Sequence, residues 1–108
     1  MHHLIKYGYD DYAVWDTFSW FIETMHEILI RYKCDHVGYP ILDLTVNVEE
    51  NEKLWEDIID KMILYLDDMD ETNEKYNNID RLVVYRQIDT AKDEFFSLFS
   101  KYFYNLWD

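Results

Sequence analysis

Apolar residues recur at the three-and-four spacing of an amphipathic helix in three separate stretches of the chain. In the first, Phe18, Phe21, Ile22, Met25, Ile28, Leu29 and Tyr32 fall on one helical face. Asp16 stands before them as an N-cap, its carboxylate placed to accept from an orphan backbone N–H. Trp15 and Trp20 take the positions of a hydrophobic staple around that cap. Arg31 and Lys33 occupy the expected last turn, where cations complement the helix dipole, and Gly38 and Pro40 are the stop signals. The second stretch runs through Leu54, Trp55, Ile58, Ile59, Met62, Ile63, Leu66 and Met69. Its start is set by Asn47 followed by Glu50, a variant of the capping box. It is expected to end near Asp70, because Asp70-Glu71-Thr72-Asn73 and Asn77-Asn78 are poor helix interior.

Between these helices the connection from Cys34 to about Val46 is long, and Ile41-Leu42-Asp43-Leu44 is expected to pack as a loop over the core. The third stretch, Ile79 to Trp107, is apolar at Leu82, Val83, Ile88, Ala91, Phe95, Leu98, Phe99, Tyr102, Phe103 and Leu106. It reads as one long helix or as two broken near Asp89-Thr90, and Leu82-Val83-Val84-Tyr85 is also β-prone.

Only two glycines and one proline punctuate the 108 residues, too few for the tight turns of an all-β fold. The expected class is therefore all-α: one domain over residues 1–108, a small bundle of three or four helices with an aromatic-rich core. Aromatic residues make up 19% of the chain and hydrophobic residues 49%, enough burial to offset ordering entropy and to exclude a disordered acidic tail. Trp15, Trp20, Trp55 and Trp107, with ten tyrosines, either build a bulky core or leave some rings at the surface for protein contacts. The single Cys34 excludes an intramolecular disulfide and a multi-cysteine zinc site. No apolar run approaches the roughly 18–20 residues that span a bilayer. The opening Met1-His2-His3-Leu4-Ile5-Lys6-Tyr7 lacks the apolar core of a signal peptide, which predicts a cytosolic protein.

Charge changes this picture most. Asp and Glu number 23 against 10 Lys and Arg, for a net charge of −13. Phosphates are repelled by such a chain, so neither direct nucleic-acid binding nor an anionic membrane surface is expected. The excess is regional: residues 43–80 hold 13 acids and 3 bases, whereas residues 81–108 are balanced at 4 of each. On the second helix Glu49, Glu52, Glu56, Asp60 and Asp67 recur at helical intervals, expected opposite the apolar stripe. Neighbours then lie about 5–6 Å apart along the axis, a spacing close to that of nucleic-acid phosphates. Asp67, Asp68, Asp70, Glu71 and Glu74 extend the patch into the following loop. A plainer reading stands beside this one. Glu49–Lys53, Asp57–Lys61 and Glu71–Lys75 are i, i+4 pairs of an ordinary solvated helix.

Motifs for chemistry are sparse. Glu23-Thr24-Met25-His26 has the Glu-x-x-His spacing of di-iron helix bundles, but a second such motif is missing and Met25 turns Glu23 toward solvent. Glu71-Thr72-Asn73-Glu74 is half of the magnesium-binding pattern of all-α nucleotide pyrophosphatases, without the later Glu-x-x-Asp. Cys34 has only His36 nearby as an activating partner. No Gly-rich phosphate loop, nucleophile elbow or HExxH is present. No catalytic residue, metal or cofactor is therefore expected.

Several segments taken together resemble a family of small acidic phage-encoded proteins. These are Tyr9-Asp10-Asp11, Trp15-Asp16, Gly38-Tyr39-Pro40, the Trp-x-x-Ile-x-x-Lys-Met pattern from Trp55 to Met62, and the ending Leu106-Trp107-Asp108. The chain departs from that pattern in its N-terminal helix and in a longer Asp67-to-Ile88 region. The resemblance implies a viral accessory protein in the host bacterial cytoplasm. Joined to the charge pattern, it leads to the expectation of a non-enzymatic inhibitor of a host defence nuclease or CRISPR-type effector. Glu49, Glu52, Glu56, Asp60, Asp67, Asp68, Asp70 and Glu71 would mimic nucleic acid in a Lys/Arg-rich groove of the partner. A phage structural or assembly protein is the alternative, and a magnesium-dependent nucleotide hydrolase a third.

Overall fold

The computed structural model describes residues 16–35 and 38–107, Trp107 by its backbone alone. Trp15, His36, Val37 and the opening residues, and with them the proposed Trp15 staple and the Cys34–His36 pairing, lie outside the described residues. Three long helices make up the architecture: α1 (Thr17–Asp35), α2 (Val48–Met69) and α3 (Arg81–Tyr102). A 3-10 turn at Glu74–Tyr76 joins α2 to α3, and a second, Phe103–Trp107, follows α3. The helix count is thus three among the described residues, and no strand forms there.

Each helix starts on a polar cap. The Asp16 carboxylate accepts from the Ser19 amide at 3.1 Å, Asn47 from the Glu50 amide at 2.8 Å and Asp80 from the Leu82 amide at 2.9 Å. These bonds satisfy donors that the helix itself leaves unpaired. Asp16→Ala and Asp80→Ala are each expected to destabilise the fold by about 1 kcal/mol. Urea unfolding measures this, and unchanged midpoints would show the caps to be idle. Helix α2 stops at Asp70 as the polar run predicts. The turn beyond it is pinned by Asp70, which accepts from the Thr72 amide and hydroxyl, and by Asn73, which donates to the Asp67 carbonyl. Asn78 takes a positive φ of 64°, a conformation that asparagine tolerates better than most residues.

Helix α2 lies against both neighbours, and its buried stripe of Trp55, Ile59, Met62, Leu66 and Met69 forms the middle of the core. Helix α1 adds Ile22 and Leu29; α3 adds Ala91 and Phe95. His26 meets Asp67, and Lys33 meets Asp60. These contacts are seven residues apart on each helix but run in opposite directions, so α1 and α2 are antiparallel. Trp55, early in α2, meets Tyr102, late in α3, and that pair is antiparallel too. The described residues form a slab of 44 × 41 × 20 Å, its thin dimension no more than two helix diameters of about 10–12 Å.

Aromatic rings hold the slab together in two groups. Phe95 stacks on Phe99 at 5.4 Å and receives the edge of Phe21 from α1 at 6.0 Å, with Phe96 stacked on Phe21. In the second group Trp55 sits between Tyr32 and Tyr102, at 6.2 and 5.7 Å. The Trp55 indole N–H donates to the Tyr32 hydroxyl at 3.1 Å, and that hydroxyl donates to the Asn105 carbonyl at 3.4 Å. One relay therefore ties α2, α1 and the final 3-10 turn.

In the third stretch one open alternative is decided and one expectation changes. Asp89-Thr90 does not break it; α3 runs through without interruption. Its inward face also begins one residue later than the apolar pattern suggests. Val84 is fully buried, while Leu82 and Val83 face outward. The inward set Val84, Ile88, Ala91 and Phe95 has clean helical spacing. Three adjacent residues span about 200° of a helix and cannot all point inward, and the position continuing the Ala91–Phe95 row is the one that does. The β-prone tetrapeptide is helical because its context is a long amphipathic segment capped by Asp80. Among the described residues, no helix is long and apolar enough to cross a membrane.

Candidate protein-docking surface

The eight carboxylates singled out in the sequence divide into two groups. Five are tied into the protein. Asp60 accepts from Lys33 at 2.6 Å, Asp67 pairs with His26 at 2.9 Å, Asp68 pairs with Lys75, and Glu71 approaches Arg81 at 3.7 Å. Asp70 is occupied by Thr72. The Asp60 carboxylate raises the Lys33 pKa, and Asp68 does the same for Lys75. Tyr76 donates from its hydroxyl to the Asp68 carbonyl at 2.5 Å, and burial pushes its own pKa up. Asp60 and Asp67 consequently lie on the edge of α2 that faces α1, rather than opposite the apolar stripe. A three-and-four repeat drifts around a straight helix only slowly, so the row stays on one flank, and α1 packs along that flank at Asp60 and Asp67.

The remaining three, Glu49, Glu52 and Glu56, lie on the first half of α2 and make no ion pair among the described residues. Glu50 and Asp57 are likewise unpaired. The i, i+4 pairs Glu49–Lys53, Asp57–Lys61 and Glu71–Lys75 do not form either: Lys75 goes to Asp68, and Glu71 goes to Arg81. Between residues 43 and 57 there are six carboxylates against one lysine, Lys53.

Next to this half-helix stands the loop before α2, and its base is built on a residue that sequence reasoning passed over. Asn51 is 4% exposed, a buried polar side chain within α2. Its carbonyl oxygen accepts from the Leu42 and Asp43 amides at 3.0 and 2.9 Å, and its amide nitrogen donates to the Asp43 and Asn47 carbonyls. Leu42 is turned into the core as expected of the loop, but Ile41 and Leu44 face solvent. The loop covers the core through Tyr39 and Leu42, and the Asn51 clamp holds its backbone there. Asp43 closes the next turn, accepting from both the Thr45 hydroxyl and amide, which hold its carboxyl below the usual carboxylate range.

Elsewhere the surface is less organised for chemistry. Glu23 is exposed, and its motif partner His26 faces Asp67. Glu23, Asp70 and Glu71 line a pocket of about 180 Å³ beside Phe18 and Ile22. Among the described residues, no three His, Cys, Asp or Glu side chains gather closely enough to hold a metal ion. Cys34 is exposed in the last turn of α1. Aromatic rings are present at the surface as well as in the core: Tyr85 and Tyr104 are exposed, while Trp55 is fully buried.

No protein family, no curated protein and no solved structure matches the chain.

Proposed function

We propose that this chain is a non-enzymatic phage accessory protein that inhibits a host defence nuclease or CRISPR-type effector. The amino-terminal half of α2 enters a Lys/Arg-lined channel made for nucleic acid. The observation that carries this reading is the row Glu49, Glu52 and Glu56, three carboxylates at helical pitch that form no ion pair among the described residues, with Lys33 felt by Glu56 but bonded to Asp60. Asp60, Asp67, Asp68, Asp70 and Glu71 are bonded to internal partners. They add to the long-range field that steers a basic partner, although their side chains are less free to contact it. The setting in a bacterial host rests on the resemblance of the Gly38-Tyr39-Pro40, Trp55-to-Met62 and Leu106-Trp107-Asp108 patterns to those of small phage proteins.

The reading is tested by expressing the protein in bacterial strains that each carry a nuclease-based or CRISPR-type defence, and scoring phage plating. Plating is expected to recover on at least one defended strain. Setting like charges against a basic groove costs several kcal/mol, so Glu49→Lys/Glu52→Lys/Glu56→Lys should reduce inhibition at least about 100-fold. Its circular dichroism should match the parent's. Equal protection by the variant, or no recovery on any strain, overturns the reading.

An assembly role has one observation in its favour: Leu82, Val83 and Tyr85 expose apolar surface on the first turns of α3. It predicts a stable oligomer in sedimentation that Leu82→Ser/Tyr85→Ser dissociates.

A further inference from the structure

The loop before α2 exposes apolar side chains at fixed positions. Leu44 is 90% exposed, Ile41 68% and Val48 67%. They border an open groove of about 590 Å³ whose floor includes Tyr39 and Val46. Leaving such side chains in water forgoes the free energy gained by burying them. The exposure does not come from a slack loop, because the four Asn51 hydrogen bonds and the Asp43–Thr45 turn hold the backbone. The segment is therefore shaped before any partner arrives, which lowers the ordering cost of binding.

A second groove of about 370 Å³ continues from the first, sharing Asp43 and Val46 with it, and is lined further by Glu50, Lys53, Leu54 and Asp57, so that its carboxylates outnumber its single lysine. Apolar anchors thus fill one half of a continuous trough and carboxylates border the other. An apolar centre beside a polar rim is the usual anatomy of a protein interface. The charge selects the occupant. A second copy of this chain would bring carboxylates against carboxylates, whereas a cationic segment would neutralise them.

We propose that this trough binds a Lys/Arg-rich amphipathic segment of a partner protein. The segment's apolar side chain seats against Ile41, Leu44 and Val48, and its cations meet Glu50 and Asp57. This deepens the function proposed above and rests on it in requiring a basic protein partner, but it uses different residues from the Glu49–Glu52–Glu56 row.

The test is fluorescence anisotropy with a labelled Leu/Lys amphipathic peptide of about 18 residues, five helical turns. A Ser/Lys peptide of equal charge and a Leu/Glu peptide serve as comparisons. The Leu/Lys peptide is expected to bind in a salt-sensitive way, the Ser/Lys peptide at least about 10-fold more weakly, and the Leu/Glu peptide not at all. Ile41→Ser/Leu44→Ser should weaken the Leu/Lys peptide at least about 10-fold, with Leu44→Ser alone as the milder variant. Glu50→Gln/Asp57→Asn should weaken it comparably and flatten its salt dependence. Unchanged affinity in the serine variants overturns the proposal, as does binding of the Leu/Glu peptide or no binding of the Leu/Lys peptide. A dimer in sedimentation that Leu44→Ser dissociates overturns it too, since the groove would then belong to a second copy. Should the serine variants retain full protection in the plating assay while Glu49→Lys/Glu52→Lys/Glu56→Lys loses it, the trough falls as the anchor and the inhibitory reading stands.

Discussion

Trp55→Ala is expected to lower stability by about 3–5 kcal/mol, at the upper end for a single core truncation. The indole is fully buried in the middle helix and touches rings from both sides, Tyr32 and Tyr102. Its removal opens a cavity where three segments meet. It also takes away the N–H that donates to Tyr32, whose hydroxyl in turn holds the Asn105 carbonyl. Domains of this size have a total stability of about 5–15 kcal/mol, so a large share is lost in one substitution. Thermal unfolding followed by circular dichroism should show a fall of more than about 15 °C. Trp55→Phe separates packing from hydrogen bonding: it keeps most of the ring volume and should cost far less, with about 1 kcal/mol traceable to the missing bond. A loss under about 1 kcal/mol for Trp55→Ala, within the ordinary range of point substitutions, would mean that the two ring groups do not act as one core.

Asn51→Leu is expected to cost roughly 2–5 kcal/mol, although leucine is similar in size and more apolar. The Leu42 and Asp43 amides lose their acceptor, and each buried donor left unpaired costs about 1–3 kcal/mol. Part of that is recovered as the loop opens to water. The local signature is fast hydrogen exchange at the Leu42 and Asp43 amides, with the amides of α3 less affected. A functional signature accompanies it. Asn51 does not itself present an anchor to the partner, yet its loss should weaken the Leu/Lys peptide at least about 10-fold, because Ile41 and Leu44 are no longer held in place. Slow exchange at both amides in the variant would show that the loop is held by something other than this side chain.

Much of the fold was legible in the residues. The caps Asp16 and Asn47, the end of α2 at Asp70 and the core row Trp55–Ile59–Met62–Leu66–Met69 follow from local rules that act within four residues. Local rules left α3 ambiguous. Leu82, Val83 and Val84 are equivalent by hydropathy, and only the tertiary packing of α3 buries Val84. Asn51 was invisible for a similar reason. A polar residue inside an amphipathic helix looks like surface until the loop that uses all its bonding capacity is folded back over it.

Sequence by itself determined a helical fold, the starts of α1 and α2 and the end of α2, and an acidic excess concentrated between residues 43 and 80. All of these depend on near neighbours or on composition, and no long-range contact is needed to read them. Tertiary structure decided which carboxylates remain available. His26 and Lys33 are far from Asp67 and Asp60 in the chain, and only the antiparallel docking of α1 on α2 brings them together. That docking divides one uniform run of charge into an internally bonded part and an open part, because an ion pair is set by distance in space, and helix packing sets that distance.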